Sequence, residues 1–173
     1  MEVVFKDTKY ILGKKERKIE AEAPASRVKM LNDETKVIGM MAPNVQVMVT
    51  LFNVKQYSKE LDAVLKNTKK KILFYVIAAC PKEELESLAS EFELDLGIIS
   101  NDFGDFSSKY GVNIEDKMVA NSLYVIDKEG VVKYKQIPQN LEDSFDLESF
   151  ASKLDEVVTF KQKGHTHENW MGV

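Results

Sequence analysis

The chain has 173 residues, 44% of them hydrophobic and 30% charged, which suits one folded domain with a sizeable core. Its formal net charge of -4 and pI near 5.4 exclude the basic surface that nucleic-acid binding requires. No apolar run reaches the ~18 residues of a membrane span, and the start lacks the cationic-then-apolar order of a secretory signal.

In chain order, residues 2–5 and 9–12 flank Asp7-Thr8 and stop at Gly13, which predicts a β-hairpin. A charged stretch, KKERKIE, leads to Ala23-Pro24 and a short strand carrying Val28, Met30 and Leu31. Asn32-Asp33-Glu34 reads as a turn into residues 36–40. The lysine runs at 14–15 and 69–71 read as solvated loop charges.

Val45, Val47, Val49 and Leu51 alternate with Gln46, Met48 and Thr50, the pattern of a strand buried on at least one face. The period then changes. Tyr57, Leu61, Val64 and Leu65 recur at helical steps. A buried strand feeding a helix is the core of a β/α layer fold, and chemistry usually sits where such a strand ends. The interval from Leu51 to Ser58 contains no Cys, His, Asp or Gly. Met40, Met41 and Met48 read as core filling.

Residues 71–79 form a nearly continuous apolar run, as in a central strand covered on both faces. It ends at Cys80-Pro81, and a helix carrying Leu85, Leu88, Ala89 and Phe92 follows, with Pro81 suited to its first turn. Leu96, Ile98 and Ile99 make a short strand. Asn101-Asp102 can cap a helix that carries Phe106 and Tyr110 on one face and ends at Gly111. Residues 121–127 and 131–136 flank Lys128-Glu129-Gly130, a strong antiparallel hairpin signal. Phe145, Leu147, Phe150, Ala151 and Leu154 supply a last amphipathic helix. The expected architecture is an α/β sandwich with a mixed central sheet over residues 1–160, followed by a polar tail over 161–173.

Four segments, FKDTKYILG, EAEAPASRVKMLNDET, SNDFGDFSSKYGV and SLYVIDKEGVVKY, occur in an order and spacing that resemble the thioredoxin-fold peroxiredoxins. The resemblance is strongest to the bacterial thiol-peroxidase branch and covers residues 3–156. It implies a thioredoxin-like sandwich with an N-terminal hairpin, and a homodimer packed near the active-site loops. No cofactor is implied. In that family a Pro-x-x-x-Thr-x-x-Cys loop joins the organising strand to its helix. The Cys attacks peroxide as a thiolate, the Thr orients the oxygens, and an Arg opposite stabilises the charge. Here the matching stretch, LFNVKQYSKEL, has no Pro, Thr or Cys. The degenerate positions are Asn53, Lys55 and Gln56, with the Cys position falling near Lys55 or Gln56, and Asn121 aligns with the Arg. On this resemblance, four parts of the peroxide site are lost together.

The remaining candidates are few. Cys80, the only thiol, precedes a helix whose N-terminus would lower its pKa, while Glu83 and Glu84 would oppose a thiolate. The plainer reading is a small, partly buried side chain at a tight turn. A single cysteine forms no internal disulfide, which fits a cytoplasmic protein. His165 and His167, beside Glu168, could give two metal ligands if the segment were extended, though structural sites usually need four. Trp170 near the C-terminus could dock onto a groove of this or another subunit. Lys55 and Tyr57 could form an anion pocket.

Three function classes follow. One is a non-catalytic binding or regulatory homodimer on a redoxin fold. Another is a thiol-dependent peroxidase or oxidoreductase that uses Cys80. The third is a metal-handling protein that uses the histidine tail.

Overall fold

The first hairpin closes through Lys6 and Asp7, both left-handed (φ 46° and 68°), joining β1 (Glu2–Phe5) to β2 (Thr8–Ile11). Paired left-handed residues give the turn a twist that matches the flanking strands. The computed structural model describes residues 1–13, 15–67 and 72–171, with side chains through Thr159. A second hairpin, β3 (Ser26–Lys29) and β4 (Thr35–Ile38), follows. Next come β5 (Val45–Leu51), a 3₁₀ turn (Val54–Gln56), α1 (Lys59–Asn67), β6 (Ile72–Ala78) and α2 (Lys82–Phe92). The short β7 (Ile99–Ser100), α3 (Gly104–Tyr110), and a small hairpin of β8 (Asn113–Ile114) and β9 (Met118–Val119) lead on. The chain closes with β10 (Ser122–Ile126), β11 (Val132–Gln136) and α4 (Leu147–Met171).

The main sheet has the order β11-β10-β5-β6-β7, so the strand read as the organiser of the chain lies in the middle. β5, β6 and β7 run parallel, and β10 pairs antiparallel with both β5 and β11. Every residue of β5 is buried. Successive side chains of a strand face opposite ways, so β5 serves two cores. Val45, Val47, Val49 and Leu51 pack with Leu61 and Leu65 of α1, Leu85 of α2, and Phe150 and Leu154 of α4. Met48 packs on the other side with Val28, Ile38, Phe106 and Tyr110. A third cluster, Val3, Leu12, Ile114, Ala120 and Leu141, lies under the N-terminal hairpin. There the Val4 amide donates to the Gln139 carbonyl and the Leu141 amide to the Val4 carbonyl, both at 2.8 Å.

Several expectations need correcting. Met40 and Met41 are 48% and 71% exposed, and only Met48 of the three methionines fills the core. The Asp102 carboxylate accepts from the Lys29 amide at 2.9 Å. The N-cap of α3 is Phe103, which makes no side-chain cap bond, so Asp102 fastens β3 to the segment before the helix instead of capping it. Tyr57 stands before α1, at the end of the 3₁₀ turn. The final helix runs on to Met171. The extended backbone on which the His165–His167 expectation rested is therefore absent, and those side chains, with Trp170, lie outside the described residues. No described helix is long and apolar enough to cross a membrane.

Candidate functional site

Three strand ends meet at one place. β5 and β6 are parallel and end together, with Leu51 opposite Ala78, so the turn after β5 and Cys80 after β6 emerge side by side. β10 is antiparallel to β5 and begins there, with Ser122 opposite Thr50, which brings Asn121 to the same edge. The sheet thus gathers Asn53, Lys55, Gln56, Cys80 and Asn121 at the C-terminal end of its central strand.

At the turn, the Asn53 side chain accepts from the Lys55 amide at 2.9 Å and fixes the 3₁₀ geometry. Lys55 itself is exposed. Gln56 Nε2 donates to the Leu141 carbonyl at 3.3 Å. Asn121 is fully buried. Its Oδ1 accepts from the Phe52 amide at 2.7 Å, and its Nδ2 donates to the same Leu141 carbonyl at 2.9 Å. Beside it, Thr50 Oγ1 donates to the Ala120 carbonyl at 2.7 Å and lies 2.5 Å from the Ser122 hydroxyl. Among the described residues no buried side-chain polar atom lacks a partner. The buried polar side chains of this corner are engaged in holding backbone in place.

Tyr57 does not join Lys55 in an anion pocket. It is 3% exposed, its hydroxyl donates to Asp62 Oδ1 at 2.7 Å, and its ring meets Phe92 edge-on at 5.0 Å. Burial, reinforced by the bond to Asp62, drives its pKa up and keeps it neutral.

Cys80 is half-buried and packs against the core shared by α1, α2 and α4. Burial pushes its thiol up, a hydrogen bond from the Val54 backbone pulls it partly down, and the Glu84 carboxylate pushes it up again. The shift is upward, opposite to the lowering expected from the helix N-terminus, with desolvation its largest cause and Glu84, one of the two carboxylates expected to oppose a thiolate, adding to it. Among the described residues no group of three or more His, Cys, Asp or Glu is placed to hold a metal ion.

The sequence reading missed Leu141, the carbonyl on which Gln56 and Asn121 converge. No motif marks it, because it reaches the site through backbone bonds to β1. It also missed Asp62 as the partner of Tyr57, though the five-residue spacing from the helix entry was a readable signal.

The architecture matches solved structures over almost its whole length. A peroxiredoxin-like protein from Aquifex aeolicus superposes with a TM-score of 0.80 at 21% identity, covering 91% of this chain and 97% of that one. The fold is that of the peroxiredoxins. A thiol peroxidase from Chromobacterium violaceum gives a TM-score of 0.69 at 19% identity, over 90% of this chain and 96% of that one. The mitochondrial 2-Cys peroxiredoxin from Plasmodium falciparum gives 0.58 at 13% identity, over 84% and 96%. No protein-family model and no curated protein matches the sequence. The peroxiredoxin fold accounts for the mixed five-stranded sheet with β5 at its centre.

Proposed function

We propose that this chain is a peroxiredoxin-fold protein that does not reduce peroxide at the family position and serves as a non-catalytic binding or regulatory module. One observation carries the reading. Asn121, which the resemblance aligns with the activating Arg, is buried with both ends of its amide bonded to backbone. An uncharged side chain whose amide is engaged by backbone brings no positive charge to hold a thiolate, the part the family's Arg plays. Lys55 and Gln56, near the nucleophile's position, offer no thiol. A cytoplasmic homodimer, as the resemblance implies, belongs to the same proposal, as does the absence of peroxide chemistry at Asn53.

A second reading rests on the position of Cys80 at the same strand edge, hydrogen-bonded to the Val54 backbone. As a thiol-dependent peroxidase, Cys80 would attack the peroxide O–O bond as a thiolate, yielding a sulfenic acid and an alcohol or water, with an external dithiol returning it to the thiol. A coupled assay with thioredoxin and its reductase separates the two. The first reading expects no hydroperoxide turnover above background. Turnover that vanishes in Cys80→Ser transfers the function to the second.

A further inference from the structure

The N-terminal hairpin leaves one of its edges open. The Leu12 amide donates to the Met1 carbonyl at 2.9 Å, while Val4 turns its amide and carbonyl outward to Gln139 and Leu141. Backbone bonds alternate along an antiparallel pair, so Val3–Tyr10 and Phe5–Thr8 are the bonded pairs within the hairpin. Lys9 and Ile11 therefore turn their amides and carbonyls away from β1, along an edge that no other described strand pairs with. Ile11 is 74% exposed and shares the outer face of the hairpin with Glu2, Val4 and Lys9. An open edge that carries an uncovered β-branched side chain is a template for another strand.

The residues of this edge select a second copy of themselves. Paired antiparallel about Tyr10, Lys9 of one chain stands opposite Ile11 of the other, and backbone bonds close on both sides of the two-fold axis. The stem of each Lys9 then lies against the opposite Ile11. Glu2, the cross-strand neighbour of Ile11, comes next in that row and faces the ammonium. Neighbouring registers fail. Centring on Lys9 sets two cations face to face. Centring on Ile11 calls on Gly13, whose amide is already spent on the Asn113 carbonyl. The outer edge of β4 is also unpaired, but it has no such match: Arg27 and Lys29 are both exposed on its hairpin, so a copy would bring only cations together.

We propose that β2 is a homotypic contact, through which two copies of this chain join their N-terminal hairpins into one four-stranded antiparallel sheet. The inference gives a surface to the homodimer of the reading above and rests on that part of it. An interface built on two short strands is small, so the association is weak and depends on concentration.

Sedimentation of the full chain, from the micromolar to the millimolar range, is expected to show a monomer–dimer equilibrium. Ile11→Pro removes the outward amide without taking a bond from the hairpin, and Ile11→Lys sets cation against cation across the pair. Each is expected to weaken the dimer at least tenfold while the melting temperature in dilute solution holds. Hydrogen exchange on the unmodified protein gives a second arm that needs no variant. The Lys9 and Ile11 amides are expected to slow as concentration rises, while the Tyr10 amide, bonded to Val3 in monomer and dimer alike, changes far less. A chain that stays monomeric throughout overturns both this contact and the homodimer. A dimer that survives both substitutions, or that forms without slowing Lys9 and Ile11, overturns this contact alone. Peroxide turnover bears on the non-catalytic reading and on neither of these, so the failures are distinguishable.

Discussion

Asn121 Nδ2 donates to the Leu141 carbonyl at 2.9 Å while its Oδ1 holds the Phe52 amide at 2.7 Å. One buried amide thus ties the exit of the central strand to the loop that the N-terminal hairpin anchors. In Asn121→Ala the Phe52 amide loses its partner, while the Leu141 carbonyl keeps the longer bond from Gln56, and an unpaired buried group costs about 1–3 kcal/mol. A loss of about 1–3 kcal/mol is expected, read in urea as a lower midpoint at an unchanged slope. A loss below about 0.5 kcal/mol would mean that water enters and replaces the amide.

Cys80 is expected to be a slow nucleophile. Burial and Glu84 raise its pKa, with the Val54 hydrogen bond only partly offsetting them, so less thiolate is present at neutral pH. Alkylation by iodoacetamide at about pH 7 should run slower than for a free cysteine, and should go on climbing with pH after the free thiol has levelled off. Mass spectrometry of the alkylated protein measures this. A faster reaction than the free thiol would remove the physical ground for treating Cys80 as structural.

Buried phenols give the protein an alkaline limit. Tyr57, Tyr110 and Tyr124 all have pKa values raised chiefly by burial. Their hydroxyls donate to Asp62, to the Pro24 carbonyl and to the Tyr110 carbonyl respectively. A raised pKa means that the folded state keeps its protons where the unfolded chain loses them. The stabilisation is therefore full below about pH 10 and fades above it, by up to about 1.4 kcal/mol per pH unit for each phenol. Thermal melts from pH 8 to 11 should show the decline, and Tyr57→Phe should make it shallower. An identical slope in that variant would show that Tyr57 is not a contributor.

The methionines separate core from surface. Met48 is fully buried in β5, and Met48→Ala should cost about 2–5 kcal/mol. Met41 is 71% exposed, and Met41→Ala should stay within about 0.5 kcal/mol. Comparable losses from the two would contradict the packing.

Much of the fold was legible because its signals are local. The alternation of Val45 to Leu51, the helical spacing of Leu85, Leu88 and Ala89, and the hairpin around Gly130 each need only a few neighbouring residues to express themselves. Exposure was harder to read, since Met40 and Met41 carry the same side chain as Met48 and differ only in what covers them. Asp102 misled for a related reason: a carboxylate beside a helix start can serve the helix or a neighbouring strand, and here β3 lies within its reach.

The candidate site was legible only in part. The order of residues pointed to the end of the central strand and to Cys80 and Asn121 as the side chains to watch. That Asn121 binds Phe52, 69 residues away, was not legible. Nor was the convergence of Gln56 and Asn121 on Leu141, or the pairing of residues 20–23 with Gly130 and Val132. By itself, the amino-acid order determined the long strands and the helices and their succession, because hydrophobic period and turn chemistry act over a few residues; it gave no sign of the small β8–β9 hairpin and put Leu96 in a strand that starts only at Ile99. Only the tertiary structure decided which distant groups share a site, because strand direction and register are properties of pairing across the sheet and not of either strand alone.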